Sequence, residues 1–400
     1  MCEAFPHHDL RKLQSVTEPV APSANPQPTS DTVSKRRRIH PGAVTMLAGL
    51  VLLLILALTP SPYVIRGPGP VANALGSAGA EGQEQEVISI SGAQTYPADE
   101  GELTVMTVSV VGNPEHQLNW LELAGAWFDP TRDVLPMELY YPMGVSKQER
   151  DEQTAAMMTS SQDTSVAAAL TYLGYDVKTQ VVVAQVPEGS PATDKLKVGD
   201  VVLAYGSEPV GSLADVQKME LTTEPVRVRI RRDGEEKVVE VTPKLADDGQ
   251  GNRRPLLGIL VQEKHEFPID VHISLADVGG PSAGLVFALA TIDKLEPGSL
   301  TGGLSVAVTG AIAPDGTVSP IGGVRQKIFA ASDNGADYFI APEANCGEAL
   351  SGGSAPRNMT VYAVADLREA VDVLKGNAAG DTEGLRTCAD AIAAGVPQVQ

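Results

Sequence analysis

Gly280-Pro281-Ser282-Ala283-Gly284 and Pro320-Ile321-Gly322-Gly323-Val324-Arg325-Gln326-Lys327 are the two stretches that decide how this chain is read. The first closes a strand predicted over Phe267–Leu275 and opens an apolar run, Leu285–Ile292, so Ser282 falls at a strand-to-helix turn. Free N–H groups and the helix dipole at such a turn favour a developing negative charge. In the second stretch Gly322-Gly323 predicts a turn and Val324–Ala331 a short helix. On that helix Lys327 shares the apolar face of Val324, Ile328 and Ala331, not the face of Arg325. A lysine held among apolar groups loses hydration of its charged form, so its pKa falls and a neutral amine becomes available as a base.

Taken singly, each residue has a plainer reading. Ser282 suits a tight turn because it is small, and Lys327 can snorkel with its head in water. The five residues around Ser282 also fit the G-x-S-x-G elbow of α/β-hydrolases. That fold needs a histidine after the serine, and all six here (His7, His8, His40, His116, His265, His272) precede it. The lysines that follow Ser282 are Lys294, Lys327 and Lys375. Lys294 and Lys375 end apolar helix-like runs, where a cation complements the dipole.

Together the two stretches carry a resemblance. The run from Asp270 to Ala331 resembles the catalytic part of the Lon proteases, with G-P-S-A-G, Thr309-Gly310 and Pro-Ile-Gly-Gly-x-x-x-Lys in the family's order. The resemblance implies a Ser-Lys dyad: Ser282 as nucleophile, Lys327 as general base, and Thr309 orienting the lysine. One position departs from the pattern, since Gly279 stands where the family usually has an acidic residue.

The chain has 400 residues and a net charge of −20, unevenly spread: residues 1–40 carry six basic against four acidic residues, and the remainder is net −22. An acidic body without a basic stripe argues against nucleic-acid partners. Pro41 to Ile65 carries no charge, and Met46–Leu58 is continuously apolar. Such a run predicts a membrane-spanning helix. Lys35-Arg36-Arg37-Arg38 just before it holds the N-terminus in the cytoplasm by the positive-inside rule. A cleaved signal peptide is the competing reading, but the preceding tail is long for one. Outside the membrane, Cys346 and Cys388 are expected to pair as a disulfide, with two free thiols as the alternative.

Leu173 to Pro243 resembles a PDZ domain: a strand at Val181–Val186, the stretch Leu196–Leu203, a helix within Val210–Leu221 beside the peptide groove, and a hairpin turning at Asp233-Gly234. The resemblance assigns Leu173, Gly174 and Tyr175 to the carboxylate-binding loop, although Gly174 serves equally well to end the preceding helix. Strand and helix signals at Gly101–Val111 and Met157–Leu173 look like the first elements of a Lon catalytic domain. The PDZ stretch is therefore an expected insertion. The expected fold is α+β: a disordered cytoplasmic tail over 1–40, a transmembrane helix over 41–61, a linker and the N-terminal part of the protease domain over 62–172, a PDZ domain over 173–245, the catalytic part over 263–377 and a C-terminal tail over 378–400.

The combination is similar to the membrane-anchored, PDZ-containing Lon-like proteases of bacteria. It implies a single-pass protein of the bacterial cell membrane whose catalytic part lies outside the cytoplasm, acting on protein or peptide substrates, and assembly as a ring, with a hexamer expected. The sequence contains no G-x-x-x-x-G-K-[ST] phosphate loop, so no ATP is expected to drive it. No metal-ligand spacing occurs (His265-Glu266 lacks its second histidine at Ile269), and no cofactor is expected. Two rivals stand beside this reading: an inactive PDZ scaffold binding C-termini of envelope proteins, and a His272/Asp277/Ser282 triad. The triad is geometrically poor, because its members normally converge from separate elements.

Overall fold

In the computed structural model, residues 40–79, 84–97, 100–247, 253–275, 279–351, 355–356 and 359–399 are described. The tail expected to be disordered lies outside these residues except for His40. The chain divides into two units, 1–54 and 55–400. Helix α1 (Pro41–Leu58) has 18 residues, no charged side chain and no buried one. It is long and apolar enough to cross a membrane, about 27 Å at 1.5 Å per residue.

The expected linker after α1 is instead a strand, Tyr63–Asn73, within the main sheet. Its run Gly67-Pro68-Gly69-Pro70 is made of residue types that strands disfavour. The strand accommodates them at an irregularity between Pro68 and Val71, opposite the strand Glu102–Val111. Gly69 passes so close to Thr107 that a Cβ there would lie 2.4 Å from its Oγ1.

The main sheet has six strands in the order Thr360–Val364, Tyr338–Pro342, Ser305–Val308, Glu102–Val111, Tyr63–Asn73, Asp133–Pro136. The first four run parallel and the last two are antiparallel to their neighbours. Side chains alternate between its faces as strand geometry demands. Leu103, Val105, Val306, Val308 and Ile340 enter one core, while Met106, Ala307, Phe339 and Ala341 enter another.

Helix α2 (Trp120–Trp127) precedes the edge strand Asp133–Pro136, and its N-terminus is closed by a capping box between Asn119 and Glu122. Helix α3 (Lys147–Tyr172) is one continuous helix of 26 residues. Its polar first half is largely exposed, and its apolar end, Val166–Leu170, is buried in the first core.

From Lys178 the chain builds a separate six-stranded sheet, five of its strands in the order Glu235–Val241, Val226–Arg232, Val201–Tyr205, Lys178–Gln185, Leu260–Glu266, with the short strand Glu208–Pro209 paired to Val201–Tyr205 off that path. Its helix, α4 (Leu213–Lys218), stands within the expected range. The hairpin turns at Asp233 and Gly234, with φ of +52° and +81°, the left-handed pair that suits a two-residue connection. Buried Asp200 accepts two hydrogen bonds from Arg232, at 2.6 and 2.7 Å, tying the hairpin to the loop before Val201. The last strand corrects the expected boundaries. Leu260–Glu266 pairs with Lys178–Gln185, so the PDZ sheet ends neither at 245 nor before 263. The strand is read poorly from sequence because Gln-Glu-Lys-His-Glu is polar throughout, as suits a sheet edge.

After the strand Asp270–Ile273 come α5 (Gly284–Leu295), α6 (Val324–Asp333), α7 (Cys346–Ala349), α8 (Leu367–Ala379) and α9 (Cys388–Ala393). Helices α3, α5 and α8 cover one face of the main sheet, and α6, α7 and α9 lie on the other. A disulfide joins Cys346 of α7 to Cys388 of α9. The C-terminal segment is no free tail, since Val399 donates its N–H to the carbonyl of Ala344.

Candidate active site

Ser282 sits in a short 3-10 turn, Pro281–Ala283, that runs directly into α5. Gly280 enters this turn at φ +83°, a conformation that glycine adopts without strain. Behind the turn, α5 is buried from Gly284 through Lys294, which fixes its position in the core. The Gly310 N–H donates to the Ser282 carbonyl at 3.0 Å, and the Leu285 N–H to the Gly310 carbonyl at 3.0 Å. From the other side Ser161 of α3 donates to the Pro281 carbonyl at 3.1 Å. A Cβ on Gly284 would meet Ser161 Oγ and Ile312 Cγ2, each at 3.0 Å.

Lys327 reaches this turn from α6, on the opposite face of the sheet. Its Nζ donates to Ser282 Oγ at 2.7 Å and to Thr309 Oγ1 at 3.0 Å. Thr309, just past the strand Ser305–Val308, spends its own proton on the Ser282 carbonyl at 3.1 Å. Lys327 is 2% exposed, among Val324, Ile328 and Ala331 as its helix position implies. Burial lowers its pKa from the usual 10.5 to about 8, against a weaker upward pull from Glu348. Desolvation wins because no carboxylate bonds the ammonium directly.

The turn that launches α6 is held in two ways. Gly323 caps the helix at φ +75°, where a Cβ would lie 2.8 Å from Val108 Cγ1. Asn345, fully buried, accepts from the Ile321 N–H at 2.9 Å and donates to its carbonyl at 2.8 Å. Sequence reasoning missed Asn345 and Ser161. Their partners are backbone groups 24 and 120 residues away, and nothing local marks them. Beside Ser282 opens a cavity of about 670 Å³, whose walls include Val71, Ala72, Val105, Val108 and Leu275. The strand mistaken for a linker thus supplies one wall.

Of the rival triad, His272 is exposed on the strand Asp270–Ile273, and Asp277 lies outside the described residues. Among the described residues the side chains hydrogen-bonded in this constellation are those of Ser282, Thr309 and Lys327.

Leu173, Gly174 and Tyr175 do not line a peptide groove. Gly174, at φ +82°, ends α3, with the Tyr175 N–H returning to the Leu170 carbonyl at 2.9 Å. Leu173 and Tyr175 pack against the first core of the main sheet. The apolar groove of the PDZ sheet lies between α4 and the edge strand Leu260–Glu266, lined by Val202, Val216, Met219, Leu257, Ile259 and Val261. Glu263 bridges its two sides by accepting the Leu213 N–H at 2.7 Å. The loop Leu257-Gly258-Ile259 leads into the edge strand, and its Leu257 and Ile259 line this groove.

These two sites sit on domains with known counterparts. Residues 257–374 match the Lon protease (S16) C-terminal proteolytic domain, and residues 143–242 match the PDZ domain. The chain therefore carries an α+β Lon-type proteolytic domain together with a PDZ domain. The second match starts within the segment before α3 and stops short of the strand Leu260–Glu266, which the first includes. Among similar proteins are the Lon protease of Frankia alni, 36% identical over 109 residues that make up 26% of this chain and 12% of that protein. The archaeal Lon protease of Halobacterium salinarum is 31% identical over 109 residues, 26% of this chain and 15% of that one. The similarity thus spans well under a fifth of the length of either relative. The PDZ domain of the SdrC-like protein from Listeria monocytogenes is similar in structure at 18% identity and a TM-score of 0.18, covering 20% of this chain and 85% of that one.

Proposed function

We propose that this protein is a serine endopeptidase that uses Ser282 as nucleophile and Lys327 as general base. The observation that carries the reading is the 2.7 Å contact between Lys327 Nζ and Ser282 Oγ in a site where the amine titrates near 8. Thr309 explains the direction of proton transfer. Its proton is committed to the Ser282 carbonyl, so its oxygen accepts an N–H from the lysine. With one N–H so engaged, the neutral amine turns its lone pair to Ser282 Oγ and takes the hydroxyl proton as the oxygen attacks a scissile carbonyl. The helix α5 N-terminus then faces the developing oxyanion. Returning the proton to the leaving amine closes the acylation step, and water repeats the sequence on the ester.

The substrates in this reading are proteins. The cavity beside Ser282 favours apolar side chains, and the PDZ groove takes an extended chain end by adding it to the edge strand Leu260–Glu266. The protein works without ATP, anchored by α1 with its N-terminus in the cytoplasm, in processing or quality control of envelope proteins. A ring of copies, a hexamer by resemblance, is part of the same proposal. Incubation of the full chain with unfolded casein tests it. Cleavage that disappears in Ser282→Ala supports the peptidase; intact casein with the wild type, together with binding of exposed C-termini, supports the inactive scaffold.

A further inference from the structure

One side of α2 is apolar and uncovered. Leu123 and Ala126 turn inward to the cluster of Ile65 and Leu118. Leu121, Trp127 and Phe128 face outward, at 39%, 63% and 89% exposure. The helix carries a single charged residue, Glu122, and that carboxylate is occupied in the cap with Asn119. A phenylalanine left almost wholly in water beside a half-exposed tryptophan marks a contact surface.

Its position along the chain says what the contact is. Helix α1 ends at Leu58. By Ser61 the backbone already pairs with the segment that starts α2: the Ser61 N–H donates to the Leu118 carbonyl at 2.8 Å, and Pro60 bridges to Asn119, the N-cap of α2. Only Thr59 and Pro60 intervene, a length of about 7 Å when extended. A helix tethered this closely to the end of a membrane span starts at the lipid headgroups. The residue types suit that depth: tryptophan combines an apolar ring with an N–H for the headgroup region, and phenylalanine and leucine fill the apolar layer beneath.

We propose that the outer face of α2 and its C-cap, carrying Leu121, Trp127 and Phe128, docks into the headgroup boundary of the lipid bilayer that α1 spans. The inference rests on the reading of α1 as a membrane anchor. It adds a second contact with the membrane beyond α1 itself.

The chain's two tryptophans, Trp120 and Trp127, make the test direct. Trp120→Phe leaves Trp127 as the only indole. The full chain is reconstituted into phosphatidylcholine vesicles with or without acyl chains brominated near the headgroup. Docking predicts that the protein floats with the vesicles, that brominated lipid quenches the greater part of the Trp127 emission, and that aqueous acrylamide quenches it little. Phe128→Glu should weaken the lipid quenching while flotation persists. A protein that floats but whose Trp127 answers only to acrylamide overturns docking while leaving the anchor intact. Protection from both quenchers that fades on dilution into excess lipid assigns the face to a second copy, which also overturns it. Failure to float overturns the anchor and the docking with it.

Discussion

Asn345 holds both backbone polar groups of Ile321, accepting its N–H at 2.9 Å and donating to its carbonyl at 2.8 Å. A side-chain amide engaged this way acts as a substitute strand, and it sets the path of the Ile321–Gly323 turn from which Lys327 is launched. Asn345→Ala would leave the two part-buried backbone groups of Ile321 without this partner, a cost of about 2 kcal/mol. We expect kcat to fall roughly ten-fold with KM little changed, because the base is displaced and the cavity is not. Asn345→Asp, which keeps the acceptor for the Ile321 N–H, should recover part of the loss. Steady-state kinetics on a fluorogenic peptide separates these outcomes.

Cys346 follows Asn345 directly, and its bond to Cys388 closes a 42-residue separation. Loss of the disulfide in Cys346→Ala/Cys388→Ala should lower stability by about 3 kcal/mol. Urea unfolding with and without reductant measures this: reductant should shift the wild-type midpoint and leave the double variant unmoved.

Lys327 should cost the fold stability at neutral pH. Its folded pKa of about 8 lies below the unfolded value, so between the two the unfolded chain binds more protons and stability rises with pH. The penalty is complete below about pH 8 and gone above about 10.4. Lys327→Met removes the buried amine and should be more stable than the wild type at pH 6, by on the order of 2 kcal/mol. The advantage should vanish by pH 10.5. A stability difference independent of pH between 6 and 10.5 would show that the amine is solvated and not buried.

Filling the PDZ groove should separate its role from that of the peptidase site. Val216 lines a cavity of about 60 Å³ there, and Val216→Trp occupies that space with the ring. A labelled peptide with an apolar C-terminal residue should then lose binding by fluorescence anisotropy. Small fluorogenic peptides should be cleaved as before, while degradation of unfolded proteins slows at least several-fold. Equal loss of both activities would make the domain a structural support of the catalytic part.

Much of the site could be read from residues 280–327, because there the chemistry is carried by side chains at fixed local spacing. The apolar face of α6 foretold the burial of Lys327, and Asp233-Gly234 foretold its hairpin. What escaped depends on distant partners. Tyr63–Asn73 looks like a linker until Glu102–Val111 lies beside it, when the close approach to Thr107 explains Gly69. Leu260–Glu266 shows little of a strand's apolar alternation, since an edge strand answers to one neighbour only. Leu173-Gly174-Tyr175 misled for a related reason: a glycine that ends a helix and one that opens a carboxylate loop look alike before the fold sets them apart.

The claim that everything else depends on is that Lys327 activates Ser282, and the rate at which a fluorophosphonate labels Ser282, followed from pH 6 to 10, tests it most directly. The account predicts a rate that climbs with a midpoint near 8, is slower in Thr309→Val, and falls at least a hundred-fold in Lys327→Ala. Labelling of Ser282 in folded Lys327→Ala at the wild-type rate, with no dependence on pH, would contradict it.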